Sequence, residues 1–73
     1  MISDVDKIEH VRCELGRGHV ARCPRSWLIR VRKLTSGTDL AEACQIALDV
    51  HRSGVSVNPR QREMRKLAGR KLA

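Results

Sequence analysis

The chain has no phenylalanine and no tyrosine, and Trp27 is its only large aromatic. It has no apolar run of membrane-spanning length: around Trp27 the uninterrupted stretch is only Trp27-Leu28-Ile29, far short of the ~20 residues a span requires. No secretory leader pattern opens it, because Met1-Ile2-Ser3-Asp4 runs straight into acids. Its three cysteines are an odd number, which argues against a disulfide framework and for a reducing cytosol. At 73 residues there is room for one small domain and a tail, burying only ~60% of the surface an unfolded chain exposes. A deep catalytic pocket does not fit that size, and no catalytic signature is present.

What the chain has in excess is positive charge, +7 overall and unevenly placed. Residues 1–11 set Lys7 against Asp4, Asp6 and Glu9, for −2. Residues 12–33 set seven basic side chains against Glu14, for +6. Residues 34–53 set Arg52 against Asp39, Glu42 and Asp49, again −2. The last fifteen residues set Arg60, Arg62, Arg65, Lys66, Arg70 and Lys71 against Glu63, for +5. Two basic blocks separated by an acidic one suggest a body with a basic side and a second basic arm, drawn to a polyanion such as nucleic acid.

The local patterns predict an α+β fold. From Ile8 to Leu15, Val11, Cys13 and Leu15 alternate with Arg12 and Glu14, as in a half-buried strand. Gly16-Arg17-Gly18 reads as a hairpin turn, and Val20 to Cys23 as the return strand ended by Pro24. Trp27, Ile29 and Val31 suggest a third strand, although Trp27, Leu28, Val31 and Leu34 also fit helical spacing. Past the Thr35-Ser36-Gly37 turn, Thr38 or Asp39 caps a helix with Leu40, Ala43, Cys44, Ala47, Leu48 and His51 on one face, stopped by Gly54. A second helix starts at Asn58-Pro59 with a narrow stripe of Met64, Leu67, Ala68 and Leu72. The expected architecture is a short β hairpin or meander packed on one helix, followed by a detached basic helix. It divides into a body over 1–54, a linker over 55–58 and a tail over 59–73.

Three constellations carry candidate chemistry. The tail cations Arg60, Arg62, Arg65, Lys66, Arg70 and Lys71 suit phosphates; with no ring among them, contact is expected to be insensitive to sequence. Arg25, Arg30 and Arg32 surround Trp27, which combines a core anchor with a candidate partner-binding spot. The spacing His10-x2-Cys13-x5-His19-x3-Cys23 looks like the second half of a retroviral-type zinc knuckle, with His10 in place of a cysteine and His19 displaced by one position. A strand over 10–15 would point His10 and Cys13 to opposite faces, so no cofactor is assigned. Cys44 and His51 share a helix face without an orienting acid, and packing explains both; the chain is read as a non-enzyme with no small-molecule substrate.

In length, charge layout and the Asn58-Pro59-Arg60-Gln61 tail start, the chain resembles the small host-takeover proteins of lytic Xanthomonas phages that bind bacterial RNA polymerase. That resemblance implies a regulator of transcription in the bacterial host cytosol, inhibiting initiation and antiterminating at intrinsic terminators. Its body would dock beside the RNA exit channel on the largest catalytic subunit, and its tail cations would occupy the nascent RNA path. A zinc-knuckle-like or helix-turn-helix nucleic-acid binder is the alternative.

Overall fold

The computed structural model describes residues 2–53 and 60–69, and these form four helices and a single 3-10 turn. The helices are α1 (Asp4–Gly16), α2 (Arg25–Leu34), α3 (Asp39–Ser53) and α4 (Arg60–Gly69), with the 3-10 turn at Val20–Arg22. No strand occurs among the described residues. The α+β expectation is therefore wrong, as are the hairpin and the detached helix.

Over 8–15 the alternation is a coincidence. Ile8, Val11 and Leu15 follow helical spacing, with Val11 and Leu15 fully buried and Ile8 packed against the core. Ser3 starts that helix by accepting a 3.2 Å bond from the Asp6 amide, and Asp4 and Asp6 lie at the positive end of the helix dipole. The presumed hairpin glycines instead close α1. Gly18 sits at φ +81°, its amide bonds Leu15 O at 3.0 Å, and the His19 amide bonds Glu14 O at 2.8 Å. This is the Schellman arrangement, which needs a left-handed residue just past the helix end. Two histidines then hold the link to α2: His10 Nε2 lies 3.1 Å from Arg22 O, and His51 Nε2 lies 3.0 Å from Cys23 O. A carbonyl accepts only, so each Nε2 is the donor.

Helical spacing also wins over 25–34, where Leu28 and Val31 are buried one turn apart. The turn after α2 uses Gly37 at φ +86°, and Thr38 caps α3 by accepting a 3.3 Å bond from the Ala41 amide. Helix α3 is central and touches all three others. Accordingly Ala41, Ala43, Cys44, Ile46, Ala47 and Val50 are all buried along it. Its expected stop at Gly54, the linker at 55–58 and the cap at Asn58 lie outside the described residues.

Helix α4 packs into the groove between α1 and α3. Met64 is fully buried, with Leu67 and Ala68 nearly so, in the same cluster as Val11, Leu15, Ile46 and Ala47. The narrow stripe that suggested a detached arm is wide enough for a ten-residue helix, because its two neighbours supply the rest of the surface. At the top of this contact the backbones come close: a Cβ on Gly16 would lie 3.7 Å from Gly69 Cα. Leu72, the last member of the expected stripe, lies outside the described residues.

Candidate polyanion-binding face

Burying Met64, Leu67 and Ala68 fixes what α4 shows to solvent, since each residue advances about 100° around the helix. Arg62 and Lys66 then point straight outward, and both are exposed. Arg65 turns toward the end of α1, where its stem would lie 3.1 Å from a Cβ on Gly18. Arg60 turns the other way and pairs with Asp49 of α3 at 2.9 Å. Glu63, the one acid of α4, falls on the same flank as Arg60. Arg70 and Lys71 lie outside the described residues.

Arg62, Arg65 and Lys66 line an open depression of about 330 Å³ whose remaining wall is Gly16. Because Gly16 lacks a side chain, the floor stays low between the arginines. Arg17, the exposed C-cap of α1, follows Gly16 directly in the sequence. None of Arg17, Arg62, Arg65 and Lys66 has an acidic partner within 4 Å among the described residues. Elsewhere among the described residues, four acids hold a cation. Glu9 holds Arg12 at 2.7 Å, Asp4 holds Arg30 at 3.1 Å, and Glu14 faces His19 at 3.4 Å and Arg22 at 3.8 Å. The Arg30 guanidinium, through hydrogen bonds and then charge, holds the Asp4 carboxyl below its usual range. Glu14 is thereby turned toward the 20–23 link, where it adds to the upward push on the Cys23 thiol. It does not neutralise the α4 rim.

The second constellation separates into parts. Trp27 is half-buried, packed on the core, edge-on to His10 at 5.1 Å and beneath the Lys7 ammonium at 6.0 Å. Arg30 is committed to Asp4, and Arg32 donates to Gln45. Arg25 stands exposed at the start of α2, without an acidic partner within 4 Å among the described residues. The four do not form one anion site.

The zinc constellation is dispersed as well. His10 bonds a backbone carbonyl, Cys13 is exposed, His19 sits against Glu14, and Cys23 is in the core. Among the described residues no three His, Cys, Asp or Glu side chains converge as a metal set. Burial lifts the Cys23 thiol to about 11 and the Cys44 thiol to about 12, so neither is a thiolate at neutral pH.

A helix-turn-helix reading also fares poorly through α3. The four-residue turn before it is short enough, but the exposed side of α3 carries Glu42, Gln45 and Arg52 with Asp49 beside them, two acids to one cation. Acids there would face phosphates. The α3–α4 turn that the sequence suggested lies outside the described residues.

No helix among the described residues is long and apolar enough to cross a membrane. Comparison with protein-family models, curated proteins and solved structures finds no match for this chain.

Proposed function

We propose that this chain is a non-enzymatic binding protein that attaches to the phosphate backbone of nucleic acid through Arg62, Arg65 and Lys66 of α4, joined by Arg17. The observation that carries the reading is the clustering of Arg62, Arg65 and Lys66, each without an acidic partner among the described residues, around one open depression at Gly16. Arg62 and Lys66 repel across one helical turn, and anionic phosphates relieve that repulsion. No aromatic ring lies on this face, so contact is with phosphate and carries no sequence preference.

The bland alternative is that Arg65 and Lys66 only complement the carbonyl end of α1 and keep the surface solvated. Salt dependence separates the two. Four displaced counterions give a slope of log K against log salt of about −3.6 on a duplex. Fluorescence anisotropy with a mixed-sequence 20-base-pair duplex between about 50 and 200 mM salt measures it. A slope near zero, or no binding at the low-salt end, refutes the proposal.

The transcription role implied by the phage-protein resemblance is a narrower form of the same proposal. The basic face would lie along the nascent RNA path on the largest catalytic subunit of a bacterial RNA polymerase. With α4 part of the core, the whole globule has to dock there. Retention of polymerase from a nuclease-treated bacterial lysate supports that form, and its absence restricts the reading to nucleic acid alone.

A further inference from the structure

The depression on α4 gathers its cations instead of spreading them along a line. Arg62 and Lys66 stand one turn apart with Arg65 beside them, so each leaves the helix within about 6 Å of its neighbours. All three share one opening with Gly16, and none has an acidic partner within 4 Å among the described residues. At about 330 Å³ the opening lies at the small end of ligand-binding clefts, ~300–1,000 Å³. The fold does not demand the glycine that floors it. Gly16 is helical and is not one of the glycines at positive φ. A Cβ there would meet only ordinary contacts, the nearest being Gly69 Cα at 3.7 Å, and alanine is the better helix former.

Three clustered cations exceed what one internal phosphate can use. A phosphodiester within a strand carries a single charge, and its neighbours lie further along the backbone. A terminal phosphomonoester carries about −1.5 to −2 at neutral pH and offers three strong acceptor oxygens. With the first diester beside it the charge comes to about −2.5 to −3, which matches Arg62, Arg65 and Lys66. A strand end also protrudes, as a group entering a depression must, whereas diesters run along the flank of a strand. We infer, resting on the nucleic-acid reading above, that this depression receives the terminal phosphate of a nucleic-acid strand. Its oxygens accept charge-assisted hydrogen bonds from two guanidinium groups and one ammonium. The nearby carbonyl end of α1 opposes this weakly, because the amides of Arg17, Gly18 and His19 already occupy the Cys13, Glu14 and Leu15 carbonyls.

Fluorescence anisotropy at about 50 mM salt with a mixed-sequence single strand of about 12 bases tests it. The strand carries an internal dye and either a 5′-phosphate, a 3′-phosphate or hydroxyls at both ends. A terminal phosphate adds one group to roughly a dozen, so a protein that follows only total charge gains less than about twofold. The depression gives a phosphorylated strand at least about tenfold tighter binding than the unphosphorylated one. Arg65→Gln with Lys66→Gln, which keeps helix-forming side chains, reduces that ratio to less than about threefold, and Arg25→Gln on α2 leaves it unchanged. Equal binding of all three strands overturns the inference and leaves the nucleic-acid reading standing. A preference that survives Arg65→Gln with Lys66→Gln overturns it too, since the end then sits elsewhere. Failure to bind any strand overturns the inference, and failure to bind the duplex as well overturns the reading beneath it.

Discussion

Helices α2 and α4 are both ten residues long, both rich in arginine and lysine, and both packed on α3, yet their outer faces differ in kind. The outer side of α2 has Arg30 tied to Asp4, Arg32 tied to Gln45, and Ile29 and Leu34 exposed between the charges. That of α4 has one paired cation, Arg60, with Arg62, Arg65 and Lys66 left without acids and no exposed large apolar side chain. By count the 12–33 block is the more basic, at +6 against +5 for the tail. The difference is one of arrangement: Arg25 and Lys33, without acidic partners among the described residues, stand at opposite ends of α2, whereas Arg62, Arg65 and Lys66 gather around one depression on α4.

The largest expected effect concerns the inner side of α4. Truncation after Ser53 uncovers the groove between α1 and α3, and circular dichroism should show loss of the folded state. Met64→Ala, which leaves a cavity at a fully buried site, should cost about 2–4 kcal/mol in urea unfolding. Either variant retaining parental stability would mean that α4 is detached after all. On α1, Gly18→Ala puts a side chain at positive φ and against the Arg65 stem. It should cost about 1–2 kcal/mol, and no loss would break the proposed closure of α1.

The thiols give a pH test of the same core. Cys23 and Cys44 titrate near 11 and 12 when folded, above the ~8.5 of an exposed thiol. The folded state therefore holds their protons more tightly. Their contribution to stability is complete below about pH 8.5 and is lost as pH rises through the folded values. The melting temperature should fall between pH 8.5 and 11 more steeply in the parent than in a Cys23→Ala, Cys44→Ala variant. At pH 7, a maleimide should label Cys13 quickly and the other two only on unfolding. Equal labelling of all three would contradict the packing. The smallest effect is that of Arg30→Ala, whose exposed pair with Asp4 is screened by solvent; melting should not shift measurably.

The legible parts of the fold were those whose signal is local and long. Helix α3 showed a sustained apolar period and a threonine cap, and Met64, Leu67 and Ala68 were recognised as the apolar side of α4. The Ile8–Leu15 segment was misread because Val11-Cys13-Leu15 satisfies a two-residue period while Ile8, Val11 and Leu15 satisfy the helical one, and only the Ser3 cap upstream favours the helix. Gly16 and Gly18 suit a hairpin and a helix cap equally; only the Leu15 and Glu14 carbonyls that the cap satisfies distinguish them. That α4 is docked was hidden because its partner surface is assembled from Val11 and Leu15 far away in sequence. The same holds for the site. Arg62, Arg65 and Lys66 were recognised from composition. Their distinction from Arg30 and Arg60 rests on Asp4 and Asp49, 26 and 11 residues away from their partners. Gly16 was missed as part of the site, since only the fold of α1 against α4 brings it to the depression.

The decisive measurement sets three charge reversals on α4, Arg62→Glu, Arg65→Glu and Lys66→Glu, against two on α2, Arg25→Glu and Lys33→Glu. Both are read for duplex affinity at low salt and for melting temperature. The α4 variant should lose affinity on the order of a hundredfold while melting within a few degrees of the parent, and the α2 variant should lose less than about threefold. Equal losses from both helices, or an α4 variant that binds like the parent, would contradict the account.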